Sequence, residues 1–316
     1  MSDYKIVLFG VKDTSENMAE YIHNELLKVD LVVTVSSDVQ SRNDISGFKG
    51  LDSLTEKFKI PIFKADSYGL DDERTRTFFK ENTFDLGIVT GWQRLIPKYV
   101  LDSFRKGIFG FHGSAGYLPF GRGRSPLNWS ILSGDSRFNL NLFRYDENAD
   151  SPNVFATKMF SINPHDTIRT AQYKNQICSK EMIKELIASY KEVRNTDKEI
   201  PVKTSSKDFD SWYKKRTPDD GRIDWKMRTR EIYNLIRAVS EPFPCAFTYT
   251  ENEALENKII IRSAHPFDEI MDFSGYAPGE IIDIFDNKAI VRTVDGSLII
   301  ENYESKLPLK KGLLLI

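Results

Sequence analysis

Short apolar runs alternate with amphipathic stretches through the first half of the chain. The run Ile6–Phe9 ends at Gly10, and Met18, Ile22 and Leu26 then recur at the spacing of one helical face. The same order repeats, with strands predicted at 31–35, 60–63, 86–90 and 107–111 and helices at 51–58, 71–82, 99–104 and 127–132. Strands that alternate with helices favour parallel pairing through right-handed crossovers. We therefore predict an α/β fold with an open, doubly wound parallel sheet that binds ligands beyond the carboxyl ends of its strands.

The pattern continues with two alternating segments, 139–145 and 154–162, which predict strands. The polar turn 146–153 joins them. A long helix is predicted over 167–190, where apolar residues mark one face.

A polar segment, 191–210, contains Pro201 and few large apolar residues, which indicates a domain junction. After it the sequence predicts a helix at 229–239 and strands at 246–250, 258–264, 279–285, 289–293 and 297–302. Short strands at close spacing are typical of a small antiparallel barrel. We expect two domains, 1–200 and 201–316, the second being this β-barrel.

Charge and cysteine content exclude several classes of protein. The 316 residues carry 44 Lys+Arg and 46 Asp+Glu spread along the chain, so no electrostatic feature demands a nucleic acid partner. Cys178 and Cys245 are far apart, which indicates neither a disulfide framework nor a metal cluster. The N-terminal apolar run is too short for a signal peptide, and no run is long enough to span a membrane. We expect a cytoplasmic protein that binds no metal and no membrane.

The segment after the predicted strand 107–111 carries the candidate chemistry. His112 stands at the carboxyl end of that strand, next to Gly113, where this fold class binds ligands and where a histidine is well placed to transfer protons. The loop that follows is rich in glycine and contains Arg122 and Arg124. Their guanidinium groups are suited to holding an anionic ligand.

These residues fall into a set of motifs. They are Gln93-Arg-Leu-Ile-Pro97, Gly110-Phe-His-Gly-Ser114, Leu118-Pro119, Arg122-Gly123, Pro126-Leu-Asn-Trp129, Asp146-Glu-Asn-Ala-Asp150 and Lys215-Arg-Thr-Pro-Asp-Asp-Gly-Arg-Ile-Asp-Trp225. Over nearly the entire chain the sequence resembles the 10-formyltetrahydrofolate-dependent formyltransferases, the family of methionyl-tRNA formyltransferase and the nucleotide-sugar N-formyltransferases. The resemblance implies a Rossmann-like N-terminal catalytic domain and a C-terminal OB-like barrel.

The resemblance also implies roles for individual residues. His112 is expected to be the general acid/base, and Asp150 the carboxylate that holds it. Arg94, Leu95, Ile96, Arg124, Asp146 and Asp150 are expected to form the site for the co-substrate 10-formyltetrahydrofolate. Asn128 and Arg216 are expected to bind the acceptor substrate.

One position departs from the family pattern. Gly110 stands where the family has an asparagine whose side chain covers the oxyanion. An acyl transfer needs a hydrogen-bond donor there. Ser114, Gln93 and protonated His112 are the candidate replacements, and the sequence leaves the choice among them open.

The block pattern around His112 is most similar to the branch that acts on 4-amino sugars. We expect an N-formyltransferase for a nucleotide-linked amino sugar, for example a UDP-linked 4-amino-4-deoxy or 4,6-dideoxy sugar on a route to polysaccharide. Methionyl-tRNA formyltransferase is the second hypothesis, although acids slightly outnumber bases after Val202. A folate- and nucleotide-binding homologue without activity is the third, because of Gly110. The oligomeric state stays open, a homodimer included.

Overall fold

A computed structural model describes residues 3–43, 45, 47–147, 153–204, 210–250 and 254–316. The strands are β1 (Asp3–Phe9), β2 (Leu31–Val35), β3 (Ile62–Ala65), β4 (Thr83–Val89), β5 (Ile108–Ser114), β6 (Arg122–Gly123), β7 (Arg137–Arg144), β8 (Asn153–Ser161), β9 (Lys203–Thr204), β10 (Trp212–Tyr213), β11 (Ala246–Tyr249), β12 (Lys258–Asp268), β13 (Ile281–Phe285), β14 (Lys288–Arg292) and β15 (Ser297–Glu304). The α-helices are α1 (Asp13–Tyr21), α2 (Ser37–Asn43), α3 (Asp52–Phe58), α4 (Glu73–Glu81), α5 (Lys98–Leu101), α6 (Pro126–Leu132), α7 (Ile168–Val193) and α8 (Thr229–Ala238). A π-helical turn, Ile22–Leu26, continues α1, and 3₁₀ turns lie at Pro218–Gly221 and Leu255–Asn257.

The large sheet has eight strands in the order β3-β2-β1-β4-β5-β7-β8-β9. Its first five strands are parallel, as predicted. The prediction of a parallel sheet is wrong at the other edge, because β7 runs antiparallel to β5 and β9 antiparallel to β8. The connection from β5 to β7 carries the long loop 115–125 besides α6. It is therefore not the compact helical crossover on which the parallel rule rests.

Apolar side chains cover both faces of the parallel strands. All five residues of β2 are buried, and so are the residues of β4 from Phe84 onward. Strands buried on both faces read as continuous apolar runs, which is why the sequence located them. The carboxyl ends of β4 and β5 lie at one edge of the sheet. They lead into 91–97 and into the loop after His112.

Grouped by its internal contacts, the chain forms two compact units. The first contains 1–123, 139–159 and 175–212, and the second contains 124–138, 160–174 and 213–316. The short segments 124–138 and 160–174 belong to the second unit because Ile131, Ile162 and Ile168 pack with Ala238 in one apolar cluster. The division into 1–200 and 201–316 stays a prediction about sequence ranges.

The C-terminal strands form a separate antiparallel sheet of five strands in the order β11-β12-β15-β14-β13. β13 and β14 are joined by Asp286 and Asn287, both at positive φ, which is the geometry of a tight hairpin turn. A pairing of β11 with β13, which would close a barrel, is absent from the ladders of the described strands. The antiparallel sheet is confirmed, and the barrel stays a prediction.

Candidate functional site

His112 is buried at the end of β5, where its ring contacts a loop carbonyl. Its side chain is 8% exposed, and its Nε2 lies 2.7 Å from the carbonyl oxygen of Gly121. Because a carbonyl only accepts, Nε2 carries the proton in this contact. The Gly121 N–H in turn donates to Ser211 Oγ at 2.8 Å. The loop carbonyl therefore fixes both the orientation and the tautomer of the histidine.

The Arg122 side chain contacts Asp210 and Trp212. Its Nε donates to Asp210 Oδ1 at 2.9 Å, and the guanidinium lies 4.3 Å from the ring centroid of Trp212. The Trp212 side chain is 56% exposed. Arg122 and Asp210 are 88 positions apart, so no local sequence pattern pairs them. The sequence suggests Arg122 as a cation for an anionic ligand, and this stays a prediction; in the structure its guanidinium pairs with Asp210 and stacks on Trp212.

The segment after β4 forms an extended edge. The Gln93 backbone N–H donates to Tyr68 Oη at 2.7 Å, and the guanidinium of Arg94 lies 5.2 Å from the Tyr68 ring centroid. Ile96 is buried, whereas Leu95 is exposed. Tyr68 holds this edge in place and was not singled out in the sequence, because it precedes the edge by 25 positions.

The space above Gly110 is occupied by Tyr145. A Cβ atom placed on Gly110 would lie 2.4 Å from Tyr145 Cε2 and 3.1 Å from Tyr145 Oη. Contacts below 3.0 Å essentially never occur for real Cβ atoms, so any larger residue would displace the tyrosine ring. The ring itself stacks on Phe143, with 5.0 Å between centroids. The absence of a side chain at 110 is thus matched by a neighbouring aromatic side chain.

Ser114 faces inward and is fully buried. Its Oγ lies 2.7 Å from the carbonyl oxygen of Phe120 and 2.9 Å from that of Gly116. A hydroxyl has one proton, and here it is directed to backbone carbonyls that shape the loop. This geometry gives Ser114 a structural task in the described structure.

The acidic turn after β7 is described in part. Asp146 Oδ2 accepts a hydrogen bond from Asn153 Nδ2 at 3.3 Å. Asp150, the carboxylate expected to hold His112, lies outside the described residues. Its role stays a prediction.

Arg124 and the two residues expected to bind the acceptor belong to the second compact unit. The Arg124 backbone N–H donates to Tyr213 O at 3.0 Å, which ties the start of this unit to the chain around 213. Asn128 is buried, and its Nδ2 donates to Ala238 O at 2.7 Å. That contact gives Asn128 a structural task.

Arg216 lies in a small aromatic cluster. Its guanidinium lies 5.2 Å from the ring centroid of Trp129, and Nη2 donates to Asp220 O at 2.6 Å. Trp129 stacks in turn on Tyr213, with 5.9 Å between centroids and 9° between planes. Burial lowers the pKa of the Arg216 guanidinium, against the opposing effect of Asp220. The cluster holds a cation on an aromatic face, which suits contact with an anionic or planar ligand.

Within the part of the chain that the structure describes, no group of three or more His, Cys, Asp or Glu side chains could hold a metal ion. No helix among the same residues combines the length and the apolar character that crossing a bilayer requires.

Family models match most of the chain. Residues 4–187 match the formyl transferase model, and residues 215–311 match the model of the formyl transferase C-terminal domain. The chain belongs to the formyl transferase family. The resemblance of its motifs to this family is thereby confirmed.

Solved structures share the fold at low identity. An N-formyltransferase from Helicobacter canadensis, in complex with folinic acid and dTDP-3-aminofucose, is 17% identical with a TM-score of 0.67, over 94% of this chain and 99% of that one. WlaRD, a sugar 3N-formyl transferase with dTDP and 5-N-formyl-THF, is 19% identical with a TM-score of 0.59, over 94% and 97%. HypX from Aquifex aeolicus, in complex with tetrahydrofolic acid, is 19% identical with a TM-score of 0.58. The present chain is covered in full but spans only 46% of that HypX chain.

Proposed function

We propose that the protein transfers a formyl group from 10-formyltetrahydrofolate to the amine of a nucleotide-linked amino sugar. The observation that carries this proposal is His112, buried and fixed at the carboxyl end of β5 in a chain of the formyl transferase family. The ligands named for the two sugar N-formyltransferases support the choice of donor and acceptor class. A UDP-linked 4-amino-4-deoxy or 4,6-dideoxy sugar is the acceptor that we propose to test first.

The edge formed by 94–96 suits the donor. Within the described residues, the backbone N–H and C=O groups of Arg94, Leu95 and Ile96 have no protein hydrogen-bond partner. The indole Nε1 of the neighbouring Trp92 is buried and likewise lacks a partner among those residues. A pterin ring presents alternating donors and acceptors, which open backbone groups are able to match. We propose that this edge holds the pterin, with Arg124 and Asp146 completing the folate site.

The folate supplies the formyl group, and residues of this chain take up and return the proton. In our proposal His112 takes a proton from the attacking amine and returns it to the folate nitrogen that leaves. A histidine is suited to both steps near neutral pH. Since Nε2 donates to the Gly121 carbonyl, Nδ1 is the nitrogen that takes and returns this proton in our proposal. Asp150 is proposed to hold the protonated ring through its opposite charge.

A labelled-formyl transfer assay tests the function directly. Protein, labelled 10-formyltetrahydrofolate and a panel of nucleotide amino sugars are incubated, and the label is expected to appear on the sugar amine. Transfer to methionyl initiator tRNA alone would support the methionyl-tRNA reaction instead. Folate binding without transfer to any amine would support the inactive homologue.

Arg124→Ala is expected to raise the KM for the donor by roughly 10- to 100-fold. A charge-assisted hydrogen bond is worth about 1.5–3 kcal/mol, and the folate glutamate tail is anionic. Steady-state kinetics with varied donor measure the effect. Arg169→Ala, a change at an exposed position of α7, is the matched control and should leave KM unchanged. An unchanged donor KM in Arg124→Ala would place Arg124 outside the folate site.

The protein is expected not to bind tRNA tightly at physiological salt. Affinity for tRNA comes largely from neutralised phosphates, and the formal net charge of this chain is −2. Filter binding at several salt concentrations measures it. A submicromolar complex whose affinity falls steeply with salt would revive the methionyl-tRNA hypothesis.

A further inference from the structure

Tyr145 lies on the face of the sheet that also carries His112. β5 and β7 pair antiparallel with Gly110 opposite Phe143, and the Tyr145 N–H donates to Ile108 O at 2.8 Å. Side chains alternate between the two faces of a strand. Tyr145 is therefore the diagonal neighbour of Gly110, within the reach of an aromatic ring, and Gly110 is the next residue to His112 on that face of β5.

The tyrosine hydroxyl occupies the region that a side chain at 110 would reach. Tyr145 Oη lies 3.1 Å from the position of a Cβ on Gly110. The amide nitrogen of an asparagine is two bonds beyond its Cβ, so it would stand close to this hydroxyl. Stacking on Phe143 holds the tyrosine ring in place. Gly110 and Tyr145 therefore form a matched pair, in which the glycine leaves room for a donor that comes from β7.

Two other polar groups on this face are less suited to contact a substrate. The Ser114 hydroxyl is directed to the carbonyls of Gly116 and Phe120. Asn141, opposite His112, has an Nδ2 without a partner among the described residues, but the residue is fully buried. Tyr145 is partly exposed. A group that binds a reacting atom must be accessible to it, which favours the tyrosine.

We propose that the Tyr145 hydroxyl is the hydrogen-bond donor that stabilises the oxyanion during formyl transfer. This inference rests on the proposed function. The amine nitrogen bonds to the formyl carbon while the carbonyl π electrons move to oxygen, and that oxyanion accepts the hydrogen bond from Tyr145. Collapse restores the carbonyl and breaks the bond to the folate nitrogen. The amine proton passes through His112 to that nitrogen, and Tyr145 keeps its own proton.

Tyr145→Phe tests the proposal with the least change in shape. The ring keeps its stack on Phe143 and still fills the space above Gly110, so only the donor is lost. We expect kcat to fall about 10²- to 10³-fold with both KM values within a factor of about three, because an oxyanion donor acts on the transition state. Tyr173→Phe, which removes an exposed phenol from α7, is the matched control and should keep full activity.

A swap of the donor between strands gives a second test. Gly110→Asn should lose activity because the new side chain collides with the Tyr145 ring, and Tyr145→Ala should lose it because the donor is gone. The double variant Gly110→Asn/Tyr145→Ala places an amide in the vacated space. We expect it to exceed Tyr145→Ala in kcat by at least about tenfold. A double variant no faster than Tyr145→Ala would contradict the shared-space argument.

The outcomes separate this inference from the proposed function. If the wild-type protein transfers formyl groups and Tyr145→Phe keeps full kcat, the role of Tyr145 is wrong and the function stands. A loss in Asn141→Leu without a loss in Tyr145→Phe would likewise overturn it, in favour of the buried amide. If the folded wild-type protein binds folate yet formylates no amine, the proposed function fails and the inference fails with it.

Discussion

His112→Asn is expected to lower kcat by about 10²- to 10⁴-fold, which is the usual contribution of a positioned proton-transfer group. The asparagine amide keeps an N–H near the Gly121 carbonyl but is not able to take or return a proton near neutral pH. The fold and the binding of the nucleotide sugar should therefore survive. Single-turnover rates at saturating donor measure the chemical step.

The control is a histidine that the proposal does not use. His165 is exposed and belongs to the second compact unit, so His165→Asn should leave kcat unchanged. Calorimetric titration with the nucleotide sugar then shows whether His112→Asn still binds its acceptor. Near wild-type kcat in His112→Asn would exclude proton transfer through this residue and with it the mechanism proposed above.

Elements whose hydrophobic period is unambiguous were predicted within a residue or two. The strand predicted at 31–35 is β2, and the helix predicted at 229–239 is α8. The helix predicted at 99–104 ends earlier, at Leu101, because the chain turns there and Phe104 packs into the apolar cluster against Phe84. Spacing alone does not reveal where a tertiary contact ends a helix.

The direction of strand pairing in the large sheet was also predicted only in part. The alternation of strands and helices predicted parallel pairing, which holds from β3 to β5. At β7 the chain returns antiparallel, and this places Phe143 opposite Gly110. The position of Tyr145 follows from that register. Hydrophobic periodicity in the sequence does not predict that Tyr145 lies above Gly110.

Some residues of the candidate site were predictable from the sequence, and others were not. His112 was predictable because a histidine near the carboxyl end of a buried strand in an α/β fold lies where this fold class binds ligands. The supports of the site were not, since Ser211 and Tyr68 reach it from distant parts of the sequence. The sequence predicts a missing donor at Gly110. The Tyr145 ring that fills the space above Gly110 follows only from the tertiary structure.

Gly279 gives a sharp test of the C-terminal unit. The residue lies at φ +89°, and a Cβ there would stand 2.4 Å from the carbonyl oxygen of Leu315 and 3.0 Å from Trp225 Cγ. Its backbone donates to Arg292 O at 2.8 Å and accepts from the Leu315 N–H at 2.9 Å. An added methyl group thus meets the carbonyl of Leu315, a residue whose own N–H is hydrogen-bonded to Gly279, so this backbone has little freedom to move away.

Gly279→Ala is therefore expected to lower the free energy of unfolding of this unit by about 2–6 kcal/mol, the sum of about 1–3 for the strained backbone and about 1–3 for overpacking. Urea denaturation followed by circular dichroism and tryptophan fluorescence measures the loss. Alanine substitutions at two other glycines separate the backbone strain from the overpacking. Gly312, at φ +79° with nothing within 4 Å of its added Cβ, should show the strain alone, and Gly275, with open space and no positive φ, should change by no more than about 0.5 kcal/mol. Equal stability losses for alanine at 279 and 312 would mean that the Leu315 contact gives way, because the clash would then add nothing to the strain.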